Sequence, residues 1–186
     1  VFPTEQLERL AARGGLLVLD GAYVNFAQMD DPVELIKRYP NVVISRTFSK
    51  SFGLAGMRVG YAIARPEMIV ALDKLRDSYN VNRVSQAAAC GALEGADYYR
   101  GCCAQIVQSR QWLTSELRAL GLRVHDSQGN FVFARHAAAP QIYEQLKERK
   151  ILVRYFKHSG LHDGLRITIG TPQENQALVA ALKTLP

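Results

Sequence analysis

The amino-acid sequence predicts an α/β protein whose leading part is a sheet of mostly buried strands and whose trailing part is a smaller α+β unit. Two patterns carry that expectation. Continuous apolar runs of strand length at 16–20, 41–45 and 59–64 are separated by helical and loop segments. Beyond a long helical stretch from Gln105 to Leu120, strand-like and helix-like segments alternate again. The 186 residues suffice for one good-sized domain or two small ones, and the change of pattern divides them at 1–100 and 101–186.

In chain order, Leu7, Leu10 and Ala11 repeat at helical spacing after Pro3, with Thr4 as the expected N-cap of a helix reaching Ala12. Gly14 and Gly15 end it. LLVLD (16–20) reads as a buried parallel strand that delivers an acid at its carboxyl end. A helix over Pro32–Arg38 stops at Pro40, NVVIS (41–45) is the next strand, and VGYAIA (59–64) is the third. Pro66 opens a helix to about Arg76, and an alanine-rich helix is expected over Ser85–Tyr99, weakened by Gly91 and Gly95. After the long helix, RVHD (123–126), FVFAR (131–135), ILVRYF (151–156) and LRITIG (165–170) read as strands. Helices are expected over Pro140–Arg149 and Pro172–Leu185, and Gly160–Gly164 reads as a short mobile linker.

Composition narrows the function classes. With 48% hydrophobic and 22% charged residues the chain is globular, and no apolar run approaches the roughly 20 residues that cross a bilayer. VFPTEQLERL lacks the basic start and apolar stretch of a signal peptide, so a cytoplasmic location is expected. Cys90, Cys102 and Cys103 form an odd set with two adjacent, which reads as reduced thiols. His158 and His162 are four apart, but Gly160 between them points to a surface loop, and no metal is expected. The net charge of +6 comes from Lys and Arg spread among acids. That pattern argues against nucleic acid and suits an anionic small molecule.

The strongest chemical signal is S-R-T-F-S-K-S-F-G-L-A-G-M-R-V-G-Y, Ser45 to Tyr61, between two predicted strands. It offers hydroxyls at Thr47 and Ser49, an amine at Lys50, glycines at 53 and 56, and the guanidinium of Arg58. Hydroxyls and a planar guanidinium bind phosphate, and glycines let the backbone turn close to a ligand. By residue type alone, two readings stand: an anion cradle beside a nucleophile, or a Ser/Gly loop with a solvated lysine.

This segment resembles the active-site lysine motif of the fold-type I pyridoxal-phosphate aminotransferases of class I and II, most closely their histidinol-phosphate aminotransferase group. Thr47-Phe48-Ser49-Lys50 and Gly53-Leu54-Ala55-Gly56-Met57-Arg58-Val59-Gly60-Tyr61 match its pattern throughout. The resemblance implies that Lys50 holds pyridoxal phosphate as a Schiff base and later moves a proton. It also implies that Thr47, Ser49 and Arg58 hold the cofactor phosphate. Upstream, D-G-A-Y resembles the family's D-E-A-Y, with Gly21 in place of Glu. By that likeness Asp20 pairs with the pyridinium nitrogen and Tyr23 with the phenolic oxygen. A carboxylate there keeps the ring nitrogen protonated, which lets the ring accept electrons.

Two further segments extend the resemblance over the whole chain. Tyr79-Asn80-Val81-Asn82 with Ser85-Gln86-Ala87-Ala88 matches one family stretch, and Leu165-Arg166-Ile167-Thr168-Ile169-Gly170-Thr171 with Glu174-Asn175 matches another. The implied substrate residues are Arg166 for a carboxylate, Arg154 for a distal phosphate, and Asn130 near the substrate. The implied fold is the C-terminal part of the large-domain sheet plus the small domain, with the N-terminal half of the family pattern outside the chain. The implied activity is amino transfer between L-histidinol phosphate and 2-oxoglutarate, with glutamate as the paired donor, in a homodimer serving histidine biosynthesis. An aromatic aminotransferase, a threonine-phosphate decarboxylase and an inactive fragment are the alternatives.

Overall fold

The computed structural model describes residues 2–184. The chain divides into two compact units, Val1–Gly101 and Cys102–Pro186. In the first, helix α1 (Thr4–Ala11) leads into strand β1 (Leu17–Asp20), a short helix α2 (Glu34–Arg38), and strands β2 (Val42–Thr47) and β3 (Gly60–Ile63). The sheet order is β1-β2-β3, with β1 parallel and β3 antiparallel to β2. The capping position of α1 is Pro3 rather than Thr4. Its carbonyl accepts from the Gln6 and Leu7 amides at 3.0 and 3.2 Å, and its φ of −57° already suits the entry into a helix.

The strands of this unit are not all buried, contrary to their apolar composition. Leu7 and Ala11 of α1 and Leu35 and Ile36 of α2 pack on Val42 and Ile44, with Leu17, Leu19 and Ile63 partly buried against them. That covers one face. Central β2 is therefore buried, whereas the edge strands leave Val18 58% and Tyr61 44% exposed.

Three helices follow: α3 (Pro66–Asp73), α4 (Arg83–Glu94) and α5 (Ala96–Ala119). The expected helix to Arg76 ends at Asp73, where the Leu75 amide tightens onto the Leu72 carbonyl at 3.0 Å. The alanine-rich helix starts earlier than expected because the Asn82 side chain caps it by accepting from the Ser85 amide at 2.9 Å. It stops at Gly95 (φ −87°, ψ 20°), and α5 begins directly after, nine residues before Gln105. Of the two weak points expected, Gly95 is the break, whereas Gly91 lies within the helix.

The second unit holds strands β4 (Arg123–Val124) and β5 (Phe131–Arg135), helix α6 (Ala139–Glu148), strands β6 (Arg154–Tyr155) and β7 (Gly164–Thr168), and helix α7 (Pro172–Lys183). Its antiparallel sheet has the order β4-β5-β7-β6. Val132, Ala134, Leu165 and Ile167 turn one face into a core with Leu113, Leu117, Ile142, Leu146 and Leu178. Burial of each large aliphatic side chain there contributes about 1.5–3 kcal/mol. Of ILVRYF only Arg154 and Tyr155 join the sheet, and Leu152 stays 83% exposed. The helix expected to reach Leu185 is α7; Leu185 lies outside the described residues.

Residues 160–164 are pinned rather than loose. Arg135 donates to the Gly160 carbonyl at 3.0 Å and to Asp163 Oδ1 at 2.5 Å, and the Gly164 amide donates to the Leu161 carbonyl at 2.9 Å. His158 and His162 are both exposed in this turn region. Cys90 is exposed, Cys102 half-buried and Cys103 buried; burial, with a smaller contribution from Cys102, pushes the Cys103 thiol up. Among the described residues no helix is long and apolar enough to cross a membrane.

Candidate active site

The register of β1 and β2 sets Asp20 beside Ser45. Val42 and Ile44 face α1 and α2, so Ser45 and Thr47, one residue out of phase, turn to the opposite face together with Asp20. Asp20 Oδ1 accepts from the Ala22 amide at 3.0 Å and lies 3.3 Å from the Ser45 hydroxyl. The first of these bonds is an Asx turn that bends the chain at the strand end. Tyr23 then precedes a 3₁₀ turn, Val24–Phe26, whose Phe26 is 1% exposed and anchors the loop. Asn25 Nδ2 donates to Ser51 Oγ at 2.6 Å, tying this loop to the lysine segment. Lys50 Nζ stands 5.6 Å from the centroid of the Tyr23 ring, within cation–π reach.

Beyond β2 the alternation of T-F-S-K persists. Phe48 is buried, 5.0 Å from the Phe52 ring and 5.7 Å from that of Tyr61, and it packs with Ala89 and Ala92. Thr47 and Ser49, on either side of it, are half-buried, and Thr47 Oγ1 accepts from the Ser49 amide at 3.0 Å. Gly53 (φ +66°) and the 3₁₀ turn Ala55–Met57 reverse the chain so that Arg58 comes back to Ser49. Arg58 itself has φ +54°, a left-handed conformation that costs a residue with a side chain on the order of 1–2 kcal/mol. Its Nη1 donates to the Ala55 carbonyl at 2.9 Å and lies 3.5 Å from Ser49 Oγ. Asp20, Tyr23, Thr47, Ser49, Lys50 and Arg58 thus gather at one end of the first sheet, with Lys50 and Arg58 exposed.

The remaining predicted residues lie on the second unit. Arg166 on β7 is paired across the sheet with Phe133 on β5 and with Arg154 on β6. Since Val132, Ala134, Leu165 and Ile167 turn to the core, these residues share the opposite face. Each guanidinium there rests on a ring: Arg166 at 4.1 Å from Phe131, Arg154 at 5.1 Å from Phe156, Arg135 at 5.2 Å from Phe133. Gly164 makes room for this stack, because a Cβ there would lie 2.0 Å from Phe133 Cζ. Asn130 is half-buried and its carbonyl accepts from the Ile169 amide at 2.9 Å, which fixes it at the mouth of β5 and β7.

Four side chains that shape these groups escaped the sequence reading. Arg110 is 4% exposed and donates to the Gly129 carbonyl at 2.8 Å, steadying the turn before Asn130; burial draws its pKa below the ordinary guanidinium value. Arg135 bridges His125 and Asp163. Asn25 joins the two loops of the first unit. Arg46 pairs with Asp31 under them. Only Arg46 left a signal, an arginine in the same strand phase as Val42 and Ile44.

The sequence pattern described as Aminotransferase class I and II matches residues 1–182. A relative named histidinol-phosphate aminotransferase, from Geobacter sulfurreducens, is 48% identical over 187 residues, covering 99% of this chain and 53% of that protein. The chain therefore spans about half the length of the curated relatives it matches. The crystal structure of histidinol-phosphate aminotransferase from Sinorhizobium meliloti in complex with pyridoxal-5'-phosphate superposes with a TM-score of 0.87 at 32% identity, over 100% of this chain and 54% of that one. L-threonine-O-3-phosphate decarboxylase from Porphyromonas gingivalis gives a TM-score of 0.82 at 25% identity, over 99% of this chain and 60% of that one. The match over nearly the full sequence settles the family: the chain belongs to the class I and II aminotransferases.

Proposed function

We propose that this chain carries the cofactor lysine and the substrate arginines of an enzyme that moves an amino group between L-histidinol phosphate and 2-oxoglutarate, with pyridoxal phosphate as cofactor. The observation that carries the reading is the seat of Lys50, beside the Tyr23 ring, on the segment that runs from β2 to Arg58. The donor set fits the cofactor in kind. It offers an amine for an aldehyde, hydroxyls and a guanidinium for a phosphate, a carboxylate for a ring nitrogen and a phenol for a phenolic oxygen.

In this reading Thr47, Ser49 and Arg58 hold the cofactor phosphate, and the bond from Arg58 to the Ala55 carbonyl fixes where the guanidinium points. Asp20 keeps the ring nitrogen protonated, and its bond from Ala22 holds the carboxylate at the strand end. When bound, pyridoxal phosphate supplies an electron-accepting ring that stabilises charge left at a substrate carbon. Lys50 is the attachment point and the base that moves the proton. The first unit is the proposed cofactor-binding domain and the second the proposed substrate-binding domain.

Arg166 offers paired N–H donors to either the carboxylate of glutamate or the phosphate of histidinol phosphate. Arg154 directly opposite it supplies a second guanidinium, which suits a doubly charged phosphate better than a single carboxylate. Asn130 is the proposed neighbour of the substrate. The names of the relatives support this choice of substrate, and a cytoplasmic homodimer is the proposed setting. The likeness to the decarboxylase from Porphyromonas gingivalis supports a second reading, since its named substrate also carries a phosphate.

In the protein of full family length, added pyridoxal phosphate should give a visible absorption band that Lys50→Ala abolishes. Borohydride should label Lys50. A band unchanged in Lys50→Ala, or label on another lysine, would overturn the assignment. Release of carbon dioxide from threonine phosphate, without amino transfer from histidinol phosphate, would favour the second reading.

A further inference from the structure

Arg46 occupies a position where the strand pattern calls for an apolar side chain. It lies on β2 in phase with Val42 and Ile44, on the sheet face opposite Ser45 and Thr47, and its side chain is 7% exposed. Nη2 donates to Asp31 Oδ1 at 2.5 Å. Nη1 is buried with no hydrogen-bond partner among the described residues. A buried guanidinium satisfied on one side only is costly, and an apolar residue of similar volume would avoid that cost.

The guanidinium is held by what surrounds it. The Gly21 amide donates to the Ser45 carbonyl at 2.9 Å, and a Cβ at residue 21 would lie 2.0 Å from Arg46 Nη1 and 2.8 Å from that carbonyl oxygen. The guanidinium therefore lies directly against the turn between Asp20 and Tyr23, in space that only glycine leaves open. Its ion pair reaches Asp31, beyond the loop that carries Tyr23 and Asn25. Asp31 is fixed in turn, because its Oδ1 accepts from the Val33 amide at 3.0 Å at the entrance to α2. On the main-chain side, Gly60 of β3 closes on the Arg46 carbonyl, where a Cβ would come within 2.8 Å.

We infer that Arg46 is a positioning residue. It clamps the Asp20–Tyr23 turn and its loop from below onto the strand that delivers Thr47 and Lys50, and so sets the spacing between the residues that meet the cofactor ring and the lysine. Gly21 and Asp31 act as its seat and its counter-ion. The inference rests on the cofactor reading proposed above.

The test uses the protein of full family length with Arg46→Met, Arg46→Lys, Gly21→Ala and Asp31→Asn. Three quantities are measured: the dissociation constant for pyridoxal phosphate, the pH midpoint of the cofactor's visible band, and the melting temperature without cofactor. Arg46→Met, Gly21→Ala and Asp31→Asn should each weaken cofactor binding roughly tenfold, the scale of one lost charged hydrogen bond, and shift the pH midpoint. Arg46→Lys should recover part of both effects, since an ammonium still reaches Asp31. Should Arg46→Met fail to fold, Asp31→Asn at a 61% exposed side chain decides the matter by the same measurements. A lowered melting temperature with unchanged affinity and midpoint would make Arg46 structural only and overturn the inference alone. Absence of any band in the unsubstituted protein would overturn the cofactor reading and this inference with it.

Discussion

Asn175→Ala tests how the junction that follows Arg166 is held. Asn175 is 2% exposed at the start of α7, and its side chain closes a two-bond ring with one residue. Its Oδ1 accepts from the Gly170 amide at 3.0 Å and its Nδ2 donates to the Gly170 carbonyl at 3.0 Å. Alanine removes both bonds and strands a backbone donor and acceptor. Each costs about 1–3 kcal/mol when left unmade in a buried place, and Gly170 is half-buried, so the lower part of that range applies: roughly 2–4 kcal/mol in all. For a chain of this size that corresponds to a fall of about 4–16 °C in melting temperature. Asn175→Asp should cost a similar amount, because it keeps the acceptor but sets a carboxylate against the Gly170 carbonyl. Thermal unfolding followed by circular dichroism checks both. A change below about 1 °C in Asn175→Ala, well under the cost of one hydrogen bond, would refute the argument.

Arg166→Lys in the protein of full family length should weaken both half-reactions by about 1–3 kcal/mol in transition-state stabilisation, whereas Arg154→Lys should affect histidinol phosphate more than glutamate. Single-turnover rates for each half-reaction check this, and wild-type rates in Arg166→Lys would rule out the clamp. Glu174 accepts from the Thr171 amide and hydroxyl, which holds its carboxyl below the usual value of 4.5. Because the folded pKa is depressed, this contribution is complete above about pH 4.5 and is lost as pH falls through the folded value. The stability gap between wild type and Glu174→Gln should therefore shrink as pH falls below about 4.5, and a gap that widened on acidification would contradict the sign. Leu75 at 86% and Tyr79 at 93% exposure leave apolar surface on the first unit, so the chain should form dimers or larger species. A monodisperse monomer in sedimentation over a wide concentration range would count against this.

Much of this molecule is written in neighbouring residues. FVFAR gives the bounds of β5 directly, and the acid at the end of LLVLD falls at the end of β1. The glycine that breaks the alanine-rich helix was also visible, though not which of Gly91 and Gly95 would do so. These features follow from backbone preference and from a period of two or 3.6 residues, which a sequence displays locally. The Gly164 seat for Phe133, the Arg135 bridge to Asp163, and the one-sided burial of β1 and β3 were not legible. Nor was the ion pair of Arg46 with Asp31 beneath Gly21. Each depends on strand register and on which sheet face a distant helix covers. Only the tertiary structure decides that, because segments far apart in sequence must first be brought to the same place.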